Sequence, residues 1–287
     1  MNDQPKNPGY SLKTPESTYG ECRILHSESM DRDLPILVFT PAGYDSIERP
    51  FPVVYLLHGT SSLPTTEESL RKINHSGTRF QEMADTFQVI LAVPITGNSF
   101  YLDSPLNPGQ RFATYIGREL PAFVDANYRT IADRKGRILA GFSMGGYGAV
   151  SLLCRYADVF SVALSRAGLM SLTTSVDDLD WDDANKELKP LLGDCFTDPA
   201  VYHRNGCFNL VNHIRERKDV AFVIQVGKED VLYKTNRAFH ERLNELNLPH
   251  IYAEYPGGHQ WSANALRSLL SDLQYFYPTQ FPEGKII

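Results

Sequence analysis

Residues 138–149 read I-L-A-G-F-S-M-G-G-Y-G-A and place Ser143 between Gly141 and Gly145, after an apolar run and before a helix-like one. A serine at so tight a strand-to-helix turn is held out as a nucleophile, because its hydroxyl stands above the strand end. Gly141 and Gly145 remove the Cβ atoms that would collide there, while Gly146 and Gly148 let the helix lie close to the sheet. The helix N-terminus beneath the hydroxyl favours developing negative charge.

A serine hydroxyl needs a base for its proton, and the base needs an orienting acid. Of the eight histidines, His259 is best placed, in Pro256-Gly257-Gly258-His259-Gln260-Trp261 directly after the last apolar run. The acid is expected after the preceding strand, where Gly227-Lys228-Glu229-Asp230 follows Val223–Val226. Adjacent Glu229 and Asp230 point in different directions, so one of them reaches the histidine, and the residues alone do not choose. The chain order Ser143, acid, His259 is that of the α/β-hydrolases.

The oxyanion of a tetrahedral intermediate needs two preset N–H donors. The Met144 amide follows from the elbow. The second is expected from the loop after the third strand, His58-Gly59-Thr60, where Gly59 lets the backbone turn inward and the Thr60 amide is the choice. Phe100, Tyr101 and Trp261 each adjoin one of these loops and are expected to line the substrate pocket.

The elements that must carry these groups are read from short apolar runs alternating with helical patterns, the mark of βαβ units on a mainly parallel sheet. Strands are expected at Cys22–His26, Leu34–Thr40, Val53–His58, Val89–Pro94, Arg137–Ala140, Ser161–Leu164, Val220–Val226 and His250–Tyr255, the first two forming an antiparallel edge hairpin. Arg111–Tyr128 is amphipathic, with Pro121 kinking or dividing it. Leu232, Phe239, Leu243 and Leu246 form one helical stripe; Leu266, Leu269, Leu273 and Phe276 form another. No repeat or linker divides the chain. A polar surface segment, 1–20, precedes one domain, 21–287, and residues 171–217 form a lid-like insertion that breaks the alternation. Asp178, Asp180 and Asp182 in it imitate the start of a calcium loop, but Asp183 and Lys189 stand where glycine and glutamate are required.

The chain has 287 residues, 42% hydrophobic and 22% charged, with a formal net charge of −6. That acidic balance argues against a nucleic-acid partner. No apolar run approaches the ~18 residues of a membrane span. The N-terminus lacks a basic start followed by an apolar stretch, so a cytoplasmic location is expected, or secretion after removal of a signal. A homo-oligomer is compatible with the sequence. The four cysteines do not make a disulfide framework, although Cys195 and Cys207 could pair in an oxidising compartment. Without C-x-x-C or H-E-x-x-H spacing, neither a metal nor another cofactor is expected.

Taken together, Y-L-L-H-G, D-S-P-L-N-P-G-Q-R-F-A-T-Y-I, D-A-N-Y-R-T-I-A-D-R, G-F-S-M-G-G-Y-G-A and P-G-G-H-Q-W resemble the esterase D and carbohydrate esterase family 1 group, over about residues 20–276. The resemblance implies an α/β-hydrolase fold with an about eight-stranded, mostly parallel sheet. It implies a serine carboxylic-ester hydrolase acting through an acyl-enzyme on short-chain or aromatic acyl esters, carbohydrate esters among them. It also selects Asp230 over Glu229, so that Ser143, Asp230 and His259 form the triad. Gln260 stands after His259 where many relatives carry an acid, and H-G-T-S-S differs from the S-G-L-T-C of S-formylglutathione hydrolases. A thioesterase of that kind, or an acyltransferase, is the alternative. A silent hydrolase-fold binding protein would have lost a triad member, and none is lost here.

Overall fold

The computed structural model describes residues 20–60, 80–172, 181–261 and 264–276. Its frame is an eight-stranded sheet in the order β1-β2-β4-β3-β5-β6-β7-β8. The strands are β1 (Glu21–Ser27), β2 (Arg32–Phe39), β3 (Val53–Leu57), β4 (Ile90–Pro94), β5 (Arg137–Phe142), β6 (Val162–Arg166), β7 (Ala221–Gly227) and β8 (His250–Tyr255). Every expected strand is present, with ends shifted by no more than a few residues. β1 and β2 form the antiparallel hairpin, β2 also runs antiparallel to β4, and the remaining pairs are parallel.

Parallel strands bury both faces, and side chains alternate between two cores. Val54, Leu56, Ile138, Ala140, Val162 and Leu164 face helices α1 (Phe80–Phe87) and α8 (Ala265–Phe276). Val53, Tyr55, Leu57, Leu139 and Ala163 face the opposite layer. That layer holds helix α2 (Leu120–Asn127), α3 (Met144–Arg155) and α7 (Tyr233–Glu245).

Helix α2 is entered through a turn at Phe112–Thr114 and a π-helical turn at Tyr115–Glu119, whose last amide, Leu120 N–H, donates to Tyr115 O. Pro121 explains the wide turn. Its ring lacks an N–H and would collide with the Gly117 carbonyl of a regular helix. The expected break is thus a local widening, with the helix continuing in the same direction of chain.

The described part of segment 171–217 is woven into the core. Its helices are α4 (Trp181–Leu192), α5 (Pro199–Asn205) and α6 (Cys207–Leu210), and Leu188, Leu192, Val201, Tyr202, Cys207, Leu210, Val211 and Ile214 join the α3 layer. The expected surface segment 1–20, except Gly20, lies outside the described residues, as do Asp178 and Asp180. Cys195 and Cys207 are not disulfide-bonded. Cys207 is buried, with its thiol 4.0 Å from Tyr147 O.

Because β3 and β5 to β8 are parallel, the loops leaving their C-terminal ends meet along one edge of the sheet, where α/β folds place their sites. Those loops carry His58–Thr60, Ser143, Asp230 and His259.

Candidate active site

Ser143 sits at φ 56°, ψ −117°, a strained conformation for a residue with a Cβ. The surroundings leave it no alternative. Its N–H donates to Arg166 O at 3.0 Å, and its carbonyl accepts the first helical bond, from Tyr147 N–H. A Cβ on Gly145 would lie 1.9 Å from Leu57 O, and one on Gly141 2.3 Å from Gly145 O. The elbow is therefore wedged between β3 and its own helix, and only glycine fits on either side of the serine.

His259 Nε2 is 2.9 Å from Ser143 Oγ. On the far side of the ring, Nδ1 is 3.1 Å from each oxygen of Asp230. The carboxylate can only accept, so Nδ1 carries the proton and Nε2 is left to accept from the serine hydroxyl. The Asp230 side chain is fully buried, while that of His259 is 31% exposed. Asp230 Oδ1 also accepts from Leu232 N–H at 2.8 Å, which fixes its orientation.

Glu229 does something else. Its carboxylate accepts from Gly257 N–H, and its own N–H donates to Gly257 O at 3.2 Å. Glu229 therefore holds the base of the loop that carries His259, while its neighbour holds the imidazole. In space the two side chains diverge, and Asp230 rather than Glu229 meets the imidazole.

Beneath Asp230 lies a polar group that sequence reading missed. Arg166, at the end of β6, is buried; its guanidinium stacks 3.6 Å from the Tyr255 ring centroid and donates to Gln225 Oε1 at 3.0 Å. Gln225 Nε2 donates onward to Ser268 and Asp272 on α8. Burial pushes the Arg166 guanidinium below its usual range, opposed by Tyr255 and by the charge of Asp230. The signal was a charged residue closing the otherwise apolar strand V-A-L-S-R.

The elbow amide of Met144 is the first N–H of α3 and has no acceptor inside the helix. Gly59 abuts the serine, since a Cβ there would lie 3.5 Å from Ser143 Cβ. Thr60 follows it at the exposed end of that loop.

The three aromatic residues expected to line the pocket are placed differently. Phe100 and Tyr101 are core residues, 4% and 0% exposed. Both have left-handed backbone, φ 47° and 54°, which turns their side chains inward. Phe100 packs on Tyr147, and the Tyr101 hydroxyl donates to His58 O at 2.8 Å. They support the site from beneath. Trp261 is half-buried; its ring centroid lies 5.8 Å from Phe142, which in turn lies 4.7 Å from the His259 imidazole. Among the described residues, no group of three or more His, Cys, Asp or Glu is arranged to hold a metal ion. Among them, too, no helix is long and apolar enough to cross a membrane.

A family model described as "Putative esterase" matches residues 27–275. The chain belongs to this esterase family. Among curated proteins it is similar to Esterase MT1326 of Mycobacterium tuberculosis, 27% identical over 248 residues, which is 80% of this chain and 53% of that protein. The chain thus spans about half the length of that relative. An acetyl esterase of Caldicellulosiruptor saccharolyticus is 26% identical over 192 residues, 64% of this chain and 71% of its own. Among solved structures, a ferulic acid esterase superposes with a TM-score of 0.70 at 24% identity, covering 89% of this chain and 96% of that one. The fold is that of the α/β-hydrolases, and the relatives agree with the esterase D and carbohydrate esterase family 1 group.

Proposed function

We propose that this chain is a serine carboxylic-ester hydrolase working through an acyl-enzyme, with Ser143 as nucleophile, His259 as base and Asp230 as orienting acid. The observation that carries the reading is the unbroken line Ser143 Oγ, His259 Nε2, His259 Nδ1, Asp230, with every gap between 2.9 and 3.1 Å.

The Ser143 Oγ–H proton passes to His259 Nε2 as Oγ bonds to the ester carbonyl carbon. The carbonyl oxygen becomes an oxyanion held by the Met144 and Thr60 amides. Asp230 stabilises the imidazolium without taking its proton. When the carbon–alkoxide bond breaks, His259 returns that proton to the leaving alcohol. Water, deprotonated by His259, then attacks the acyl-enzyme. The acid leaves, and Ser143 Oγ recovers the proton.

Short or aromatic acyl groups are the substrates we favour. The names of the acetyl esterase relative and of the ferulic acid esterase with the same fold support this. The test is hydrolysis of p-nitrophenyl acetate, p-nitrophenyl butyrate, methyl ferulate and S-formylglutathione, with a fluorophosphonate probe on the same protein. Ser143→Ala is expected to lower ester hydrolysis by about 10³-fold or more and to abolish labelling, because a triad acts as a unit. Labelling of another serine, or full activity in the variant, would overturn the proposal. A preference for S-formylglutathione over every oxygen ester would favour the thioesterase alternative.

A further inference from the structure

We infer that His58 is a positioning residue for the oxyanion site, orienting the Thr60 amide through the peptide plane between Gly59 and Thr60. The inference rests on the ester-hydrolase reading above. It deepens that reading by naming what aims the second donor.

The bonding of the half-buried His58 ring fixes what its Nδ1 does. Nδ1 lies 2.8 Å from Gly59 O, a carbonyl, so Nδ1 must donate. Nε2 accepts from Thr96 N–H at 3.2 Å. Nε2 also lies 3.3 Å from Thr96 Oγ1, and burial holds the imidazole below its usual range. His58 Nδ1–H is thus a donor aimed at one carbonyl.

A peptide unit is planar and, when trans, its C=O and N–H point in opposite directions. Holding Gly59 O therefore fixes the direction of Thr60 N–H. His58 is half-buried behind the loop, whereas Thr60 is exposed and Ser143 partly so. An amide turned away from the ring consequently faces the open side, where Ser143 stands against Gly59.

The preceding peptide plane is held as well. His58 O accepts from the Tyr101 hydroxyl at 2.8 Å, which sets the direction of Gly59 N–H. The Tyr101 ring also lies against the elbow helix. A Cβ on Gly148 would come within 2.4 Å of Tyr101 Cδ2, so the ring fits only because that position is glycine. One side chain thereby touches the helix that presents Met144 N–H and the loop that presents Thr60 N–H. The two left-handed residues Phe100 and Tyr101 are the strained turn that delivers it.

The test compares His58→Leu, which removes the donor, with His58→Asn, whose amide N–H can replace Nδ1–H, and with the isosteric Tyr101→Phe. For p-nitrophenyl acetate, His58→Leu is expected to lower kcat at least about tenfold, less than the 10²–10³ of a deleted oxyanion donor. KM should stay within about twofold, because the lost interaction belongs to the transition state. Affinity for a trifluoromethyl ketone, which mimics the tetrahedral oxyanion, should fall by a similar factor. His58→Asn should recover most of both, and Tyr101→Phe should lie between. A folded His58→Leu with unchanged kcat, a loss confined to KM, or His58→Asn as poor as His58→Leu would overturn the inference. If His58→Leu does not fold, Tyr101→Phe decides, and unchanged kcat and ketone affinity there overturn it. Ser143→Ala measured in parallel separates the two levels, since its retained activity would remove the ester-hydrolase reading itself.

Discussion

The carboxylate of Asp230 takes the Nδ1–H of His259 symmetrically, 3.1 Å from each oxygen, although Glu229 lies one residue away and just as close along the chain. The division of labour follows from backbone direction: Asp230 N–H turns back to Gly227 O while Glu229 N–H pairs with Gly257 O. The acid that holds the imidazole and the acid that anchors its loop are consecutive residues.

Replacement should separate those roles. Asp230→Asn offers His259 an amide N–H and favours the wrong tautomer, so kcat should fall by roughly 10⁴-fold. Glu229→Gln keeps an acceptor for Gly257 N–H and should cost less than about tenfold. Steady-state kinetics on p-nitrophenyl acetate check this, and comparable losses in the two variants would mean that His259 does not depend on Asp230.

The elbow glycines differ from turn glycines in what a methyl group would meet. Gly145→Ala would push a Cβ to 1.9 Å from the backbone oxygen of Leu57, and no side-chain rotation can relieve that. We expect a loss of at least about 2 kcal/mol in stability, together with displacement of the serine. Gly43→Ala is the comparison. It also strains the backbone, at φ 77°, yet its Cβ would meet nothing closer than 3.4 Å. It should cost about 1–2 kcal/mol and leave fluorophosphonate labelling intact. Urea denaturation with labelling of each variant distinguishes steric exclusion from backbone strain.

Asp219 gives the chain a measurable acid dependence. Arg217 grips it through two nitrogens, at 2.9 and 2.7 Å, and Arg134 adds a third contact at 2.9 Å. The hydrogen bond from Arg217 is the main cause that holds its carboxyl at about 2, below the ordinary 3.8. A depressed carboxylate contributes stability that is complete above its unfolded value and disappears as pH falls through the folded one. The contribution should therefore be whole at pH 6 and fade between pH 4 and about 2. The side chain is 53% exposed, which limits the pair to about 1 kcal/mol or less. In urea titrations, Asp219→Asn should be less stable than the parent at pH 6, with the gap closing as pH falls to about 2. A gap independent of pH would assign the effect to packing.

How much of this could be read in advance depended on whether a feature is local. All eight strands were legible, and β3 to β7, buried on both faces, are nearly continuous apolar runs such as V-V-Y-L-L and F-V-I-Q-V. Ser143 was legible because glycines bracket it, and His259 because two glycines lead into it. Glu229 and Asp230 were not separable, since nothing local tells which carboxylate a distant imidazole meets. Phe100 and Tyr101 were read as pocket walls because they adjoin a site loop. Two left-handed residues in succession carry them into the core instead, and non-glycine side chains rarely announce such backbone. Arg166 stayed hidden for a similar reason. Its role depends on Gln225 and Tyr255, which come from two other strands.

Substrate choice should depend on how segment 171–217 is tied to the loop on either side of Tyr101. Among the described residues, hydrogen bonds from Ser104 and Asn98 join them. Ser104 Oγ donates to Leu191 O at 2.6 Å, and Asn98 Nδ2 donates to Glu187 Oε2 at 3.1 Å. Ser104 is the tighter tie, because it is buried and its oxygen also accepts from Leu106 and Asn107 N–H at 3.2 and 3.1 Å. Ser104→Ala strands those three backbone groups, at a cost of about 1–3 kcal/mol in local order. The Ser143–His259–Asp230 line lies outside that network, so kcat for p-nitrophenyl acetate should change by less than about twofold. Larger acyl groups need a fixed wall, and each methylene of discrimination is worth only ~1–3 kcal/mol. The ratio of kcat/KM between methyl ferulate and p-nitrophenyl acetate should therefore shift by at least about threefold. A folded Ser104→Ala with an unchanged ratio would mean that the insertion does not set acyl selectivity through this tie. An equal loss on both esters would mean instead that the loop supports the chemistry rather than the choice of substrate.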